Sequence, residues 1–149
     1  ADEINYLDQY VSFEKHRLDF DFAFRVNIGP EIDIENTGIP PMLIQLLVEN
    51  CIRHARLDQV KNPAITFSVQ KKQNVLVLSL KDNGKGRNNL TDKTHQSKAL
   101  SILEKRIIET NLKEKREIAG TFLILDLKDE NDQASGTECM IRLPYFELI

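Results

Sequence analysis

Two apolar stretches separated by a short polar link set the strongest limit on how this chain can fold. Ile65, Phe67 and Val69 alternate with less apolar neighbours, Lys71 to Asn74 makes a turn, and VLVLSL from Val75 to Leu80 is apolar on both faces apart from Ser79. Side chains of a strand alternate between faces, so the first stretch reads as a half-covered strand and the second as an interior strand of a covered sheet. A parallel pair needs a crossover of about a dozen residues or more, and the link is too short for one. Phe122 to Leu127 and Cys139 to Leu143 form a second closely linked pair, joined across the turn-rich DENDQASG by a hairpin connection.

A third period-two segment lies near the start. Phe20, Phe22, Phe24, Val26 and Ile28 alternate with Asp19, Asp21, Ala23, Arg25 and Asn27, which predicts a half-buried strand ending at Gly29-Pro30. Before it, Ile4, Leu7, Val11 and Leu18, with Tyr6, Tyr10 and Phe13 beside them, follow helical spacing. His16 falls in the last turn of that helix, where a cation suits the dipole, and it is assigned no chemical role. A short Ile32/Ile34 segment then leads through Thr37-Gly38 to IPPMLIQLLVENCIRHA, Ile39 to Ala55. Prolines are tolerated at a helix start, and no Gly or Pro follows Met42 within the stretch, so it reads as a helix. On a 100° wheel Ile44, Val48, Cys51, Ile52 and Ala55 share one side, and Glu49, Asn50, Arg53 and His54 gather opposite. Met42, Leu43 and Leu46 keep that opposite arc apolar near the start. Such a helix either lines a polar site at its far end or surfaces there, with Glu49 and Arg53 as a solvated i,i+4 pair.

Arg87 to Ser97 shows no periodicity and reads as a mobile loop; Leu100, Leu103, Ile107 and Asn111 restore helical spacing, with Glu104, Lys105 and Arg106 on the other side. Helices and strands are interspersed, yet two strand links are too short for helices. The expected fold is therefore α+β, a two-layer sandwich whose mixed, mainly antiparallel sheet carries its helices on one face.

Length and charge narrow the function classes. A chain of 149 residues makes one domain, residues 1–149, with a core of its own. A net charge of −3, with acidic and basic residues mixed along the chain, argues against a nucleic-acid surface, which needs a concentrated basic face. Cys51 and Cys139 lack metal-type spacing and do not make a disulfide framework, which fits a reducing compartment. There is neither a signal peptide nor an apolar run near the 18 residues that a membrane span needs. A start that opens directly into helix-like sequence points to a domain taken from a longer protein.

Three short segments carry the chemistry: VENCIRHA on the central helix, DNGKG after the interior strand, and SGTECMIRLP opening the last strand. Each alone is commonplace; Asp-Asn-Gly is first of all a turn signal. In this order the set resembles the nucleotide-binding domain of sensor histidine kinases, with the Bergerat-type fold shared with gyrase, mismatch-repair proteins and a heat-shock chaperone. The resemblance runs from about Glu3 to Pro144. YVSFEKHR, IPPMLIQLLVEN and the closing RLP look most like the LytS-like branch of bacterial two-component kinases.

The resemblance implies ATP and Mg²⁺ as ligands and a role for each matching residue. Asn50 matches the asparagine that holds Mg²⁺ against the phosphates, as suits a neutral oxygen ligand for a hard, hydrated cation. Glu49 matches the acidic residue that orients or deprotonates the attacking group, the one residue assigned to catalysis. Arg53 and His54, a turn later, are placed to meet phosphate. Asp82 matches the acceptor for the adenine amino group, Gly84 and Gly86 the close backbone approach to the ring, and Thr137 a hydroxyl supporting the same contact. The family's Gly-x-Gly-Leu box corresponds to Ser97-Lys98-Ala99-Leu100, where Lys98, Ala99 and Leu100 would face the phosphates at a helix N-terminus. Both glycines are replaced, so the φ > 0 freedom is lost and ATP is expected to bind weakly.

The implied activity is transfer of the γ-phosphoryl group of ATP to a histidine on an upstream helical domain. None of His16, His54 and His95 has that acceptor's sequence context. The implied partners are the acceptor domain, a response regulator and, in the full-length kinase, a second copy. The implied location is cytoplasmic, within a parent anchored in the bacterial inner membrane. Two further readings accompany this one: a non-catalytic, pseudokinase-like interaction module of the same fold, and an ATPase of the superfamily coupled to conformational change.

Overall fold

The computed structural model describes residues 2–40, 42–87, 97–113 and 122–145. Helix α1 (Asp2–Arg17) leads to strand β1 (Ala23–Ile28), helix α2 (Leu43–His54), a single 3₁₀ turn (Leu57–Gln59), strands β2 (Ala64–Lys72) and β3 (Val75–Asp82), helix α3 (Ser97–Lys113), and strands β4 (Phe122–Lys128) and β5 (Ala134–Pro144). The sheet order is β1-β2-β3-β5-β4. β1 and β2 run parallel, with Ala23 opposite Ala64, because α2 supplies the crossover between them; the β2–β3, β3–β5 and β4–β5 pairs are antiparallel. This is the α+β fold with a mixed, mainly antiparallel sheet that the strand links require.

The core lies between the sheet and the helices. Ile65, Phe67 and Val69 of β2, Leu76, Leu78 and Leu80 of β3, and Ile141 and Leu143 of β5 are all buried. So are Leu7 and Val11 of α1, Ile44, Leu47, Val48 and Ile52 of α2, and Leu103 and Ile107 of α3. Each such side chain contributes roughly 1.5–3 kcal/mol relative to exposure. β3 is the central strand, but its alternate residues Val75, Val77 and Ser79 are only half-buried. Ser79 faces Met140, which in turn faces Leu123, and Leu123 is 46% exposed. The second face of the sheet is thus partly open, although VLVLSL reads as covered on both sides.

Two element boundaries differ from the periodicity. β1 begins at Ala23, because its parallel partner begins at Ala64 and the Ala23 N–H closes onto the Pro63 carbonyl at 2.9 Å. Phe20 and Phe22 precede the first pair and have no strand opposite. Phe22 turns into the core, and Lys15 lies over its ring. α2 begins at Leu43 after a left-handed Met42 (φ 61°), so Pro40 stands before the helix and not in its first turn. α3 starts at Ser97, earlier than the apolar spacing marks it. Of the stretch read as a mobile loop, 88–96 lies outside the described residues. Among the described residues no helix is long and apolar enough to cross a membrane.

Candidate functional site

β3 alternates so that Leu76, Leu78, Leu80 and Asp82 all point toward the helix layer, which carries a carboxylate into the interior at the strand's end. Asp82 is 2% exposed. A buried carboxylate is tolerable only with its lone pairs satisfied, and here they are. Oδ1 accepts the Gly84 N–H at 2.9 Å and the Thr137 N–H at 3.3 Å; Oδ2 accepts the Thr137 hydroxyl at 2.5 Å and the Cys51 thiol at 3.7 Å. Burial, and Asp82 beside it, push the Cys51 thiol well above its ordinary range. Burial likewise pushes Cys139 up to about 12, with Glu138 adding and Arg87 opposing.

Glycine is required where the segments cross. A Cβ on Gly84 would lie 1.8 Å from the Ala55 carbonyl oxygen, which accepts the Lys85 N–H at 2.9 Å. A Cβ on Gly136, at φ 121°, would lie 2.0 Å from the Asp82 carbonyl oxygen. Asn83 turns away and ties down β2: its Oδ1 accepts the Ala64 N–H at 2.7 Å and its amide donates to Asn62. DNGKG is therefore more than a turn. It docks β3 onto the end of α2 and onto the start of β5.

Between these segments is a cavity of ≈ 40 Å³, space for a few waters, lined by Asn50, His54, Asp82, Gly86, Arg87 and Thr137 over a floor that includes Leu47 and Leu80. Asn50 and His54, four apart on α2, reach it together with Asp82 and Thr137. Glu49 and Arg53 form the neighbouring stripe, about 100° round the helix, and face a groove along α1 lined by Tyr10, Glu14 and Arg17. There Arg53 donates to Glu49 at 2.7 Å with side chains 66% and 41% exposed, the solvated i,i+4 pair. Such a pair contributes little, so Arg53→Gln is expected to change the stability measured by urea unfolding by less than about 0.5 kcal/mol. A loss above about 1 kcal/mol would show that the groove relies on the pair. Tyr10 in the same groove is pushed up to about 12 by burial, then by Glu14 and Glu49.

Lys98, Ala99 and Leu100 fall in the first turn of α3, which begins at Ser97, so their backbone is right-handed helical, a conformation Ser and Ala adopt without strain. Among the described residues no three His, Cys, Asp or Glu side chains are grouped to hold a metal ion. A cation that keeps most of its waters and binds phosphate needs no such group, and the carboxamide of Asn50 at the cavity is a suitable single ligand.

The residue that sequence reasoning missed is Arg87. It opens a stretch that reads only as polar loop, yet its side chain is 16% exposed, lines the cavity and grips Asp126 of β4 through a two-bond fork, Nε to Oδ1 at 2.6 Å and Nη2 to Oδ2 at 3.0 Å. No local pattern announces it, since Asp126 is distant in sequence. The inward placing of Cys51 and Cys139 was legible only as an apolar context.

No family model matches the chain. The chain is 32% identical over 155 residues to the sensor protein LytS of Staphylococcus epidermidis, a match that covers 96% of this chain and 24% of that protein. It is 27% identical over 154 residues to LytS of Enterococcus faecalis, covering 97% and 24%. A shorter match, 36% over 85 residues, is to the sensor histidine kinase/phosphatase LytS of Staphylococcus aureus, covering 56% and 14%. The chain thus spans about a quarter of the length of these two full-coverage relatives. Among solved structures the mycobacterial sensor histidine kinase MprB superposes with a TM-score of 0.62 at 14% identity, covering 97% of this chain and 95% of that one. The blue-light activated histidine kinase of Erythrobacter litoralis EL346 superposes at 0.58 and 16% identity, covering 94% and 41%.

Proposed function

This chain belongs to the LytS family of sensor proteins and has the histidine-kinase fold, and from that premise we propose that it is the ATP-binding catalytic domain of a two-component sensor histidine kinase. It transfers the γ-phosphoryl group of ATP to a histidine on an upstream helical domain. The observation that carries this reading is the buried Asp82, held by Gly84 and Thr137 at the wall of the cavity that Asn50 and His54 enter from α2. A carboxylate buried among donors is a fixed acceptor. It selects a base that presents an amino group, and the weak thiol donor of Cys51 is the contact most cheaply exchanged for it.

Phosphoryl transfer asks a protein mainly for positioning and for compensation of phosphate charge. Asp82 and Thr137 fix the base, Gly84 and Gly86 shape the backbone beside it, and His54 stands one turn beyond Asn50. Asn50 would hold Mg²⁺, which would supply positive charge to offset that of the phosphates. Lys98, Ala99 and Leu100, at the N-terminal turn of α3, offer backbone N–H groups to the phosphates. Glu49 and Arg53 open toward the α1 groove, so the accepting histidine meets Glu49 from that side. A cavity of ≈ 40 Å³ admits a purine only as its walls part, so binding is coupled to local rearrangement. The longer protein signals to a response regulator, works as a homodimer and holds this domain on the cytoplasmic side of the membrane that anchors it.

The test is thermal unfolding with Mg-ATP. A ligand at a hundred times its Kd adds about 2.7 kcal/mol of stability, and no shift at millimolar Mg-ATP would sink the proposal. Asn50→Ala is expected to flatten the difference between ATP binding with and without Mg²⁺ while adenosine binding hardly changes. A variant that keeps the full magnesium effect would reassign the metal ligand.

A further inference from the structure

Among the described residues four donors end on the Asp82 carboxylate: the Gly84 N–H and Thr137 N–H on Oδ1, and the Thr137 hydroxyl and Cys51 thiol on Oδ2. An ionised carboxylate offers about four lone-pair positions, so the protein itself fills this acceptor. An amino group can bond to it only as one of the four leaves. They are not equally free to go. Gly84 and Thr137 donate from backbone locked where the segments cross, since a Cβ on Gly84 or Gly136 would fall 1.8 or 2.0 Å from a carbonyl oxygen. The Thr137 hydroxyl makes a charge-assisted bond of 2.5 Å, the strong kind. Cys51 is held least: its sulfur stands 3.7 Å from Oδ2, and a thiol is a weak donor. Burial and the neighbouring carboxylate keep that thiol protonated, so it stays a donor at neutral pH. A helix leaves χ1 two common wells, and one rotation takes the sulfur off Oδ2 while α2 stays in place. The sulfur also lines the cavity of ≈ 40 Å³, so the rotation clears the same side of Asp82 that it unbinds.

We propose, resting on the nucleotide-binding reading above and deepening it, that Cys51 sets the affinity of this site: its thiol holds the place on Asp82 that the base amino group takes. The thiol satisfies a buried carboxylate in the ligand-free chain and competes with the base for Oδ2. One contact therefore stabilises the fold and weakens binding, and its removal moves the two in opposite directions. Cys51 acts on the base through Asp82, as a positioning residue.

Calorimetric titration of adenosine into the whole chain, beside thermal unfolding without ligand, tests this. Cys51→Ala removes the competitor and is expected to tighten adenosine about two- to tenfold, the worth of a modest hydrogen bond, while lowering the melting temperature of the ligand-free chain. Cys51→Ser keeps a donor on the same carbon and is expected to bind adenosine no more tightly than the wild type. A third readout leaves Cys51 in place. In Cys139→Ala, where Cys51 is the sole thiol, the infrared S–H stretching band lies low while the thiol donates to a carboxylate, and it is expected to rise as adenosine saturates the site. Unchanged or weaker adenosine binding in Cys51→Ala, or equal tightening by Cys51→Ala and Cys51→Ser, overturns the competition. A band that saturating adenosine does not move overturns the exchange, and that result is available even where Cys51→Ala fails to fold. In these cases adenosine still binds the wild-type chain, and the nucleotide reading stands. If the folded wild-type chain binds neither adenosine nor ATP, that reading is overturned, and this inference with it.

Discussion

Asp82→Asn is expected to cost adenine-nucleotide affinity about 1.5–3 kcal/mol, the range for hydrogen bonds to a charged group, or roughly ten- to over a hundredfold in Kd. An amide presents a donor on one side where the carboxylate presents acceptors on both, so the base amino group meets a donor or loses its partner. The same substitution disturbs the fold. Gly84 N–H, Thr137 N–H and the Thr137 hydroxyl all end on this carboxylate, and an asparagine cannot accept from both oxygens. The Thr137 hydroxyl must turn to accept from the new amide or stay unpaired, the latter at a further cost of about 1–3 kcal/mol in stability. Affinity should therefore be read by titration at a temperature where circular dichroism shows the variant folded. Unchanged ATP binding by the folded variant would reduce Asp82 to a structural residue that ties β3 to β5.

Gly84→Ala is expected to destabilise the domain by about 3 kcal/mol, the upper end for overpacking, because the new methyl would have to occupy the space of a backbone carbonyl. The nearest atom is the Ala55 oxygen at 1.8 Å and the next is its carbonyl carbon at 2.7 Å, so no side-chain rotation relieves the clash. Separating the segments also breaks the Lys85 N–H bond to that oxygen and draws Asp82 away from the end of α2. Gly29→Ala is the matched control, since the atoms nearest its Cβ belong to the Glu31 carboxylate, which can rotate away at the cost of its bond to the Lys71 N–H. Chemical denaturation of both variants separates the cases. A loss below about 1 kcal/mol for Gly84→Ala would mean that the α2–β3 junction yields easily and does not hold the site together.

The elements of this fold were legible in the sequence because their signals are local. Period two in β2 and β3, helical spacing in α1 and α3, and links too short for a crossover follow from neighbours along the chain. They suffice for an α+β sheet with helices on one face. The boundaries that shifted did so for non-local reasons. Phe20 and Phe22 continue the alternation of β1, but a strand extends only as far as its partner, and β2 begins at Ala64. Val75 and Val77 read as covered on both sides, yet the degree of cover depends on what lies across the sheet.

The site divides in the same way. VEN on a helix, DNG after a strand and SGT in the last strand are recognisable as a set, and the wheel places Asn50 and His54 together on the polar arc. A helical wheel cannot say what faces that arc. Only the packing of α1 against α2 sends Glu49 and Arg53 to one groove and Asn50 and His54 to the other, with 100° of helix between the stripes. The glycine of DNG was open to several local explanations; the tertiary structure gives the crossing of the Ala55 carbonyl as its reason. Arg87 was invisible, because its meaning comes from Asp126 on a strand 39 residues away. By itself the sequence determined which residues could carry chemistry, since that depends on side-chain type and local period. Which of them share one cavity, and with which charges beside them, was decided by tertiary packing, because only the folded chain brings β3, β4, β5 and the end of α2 to the same place.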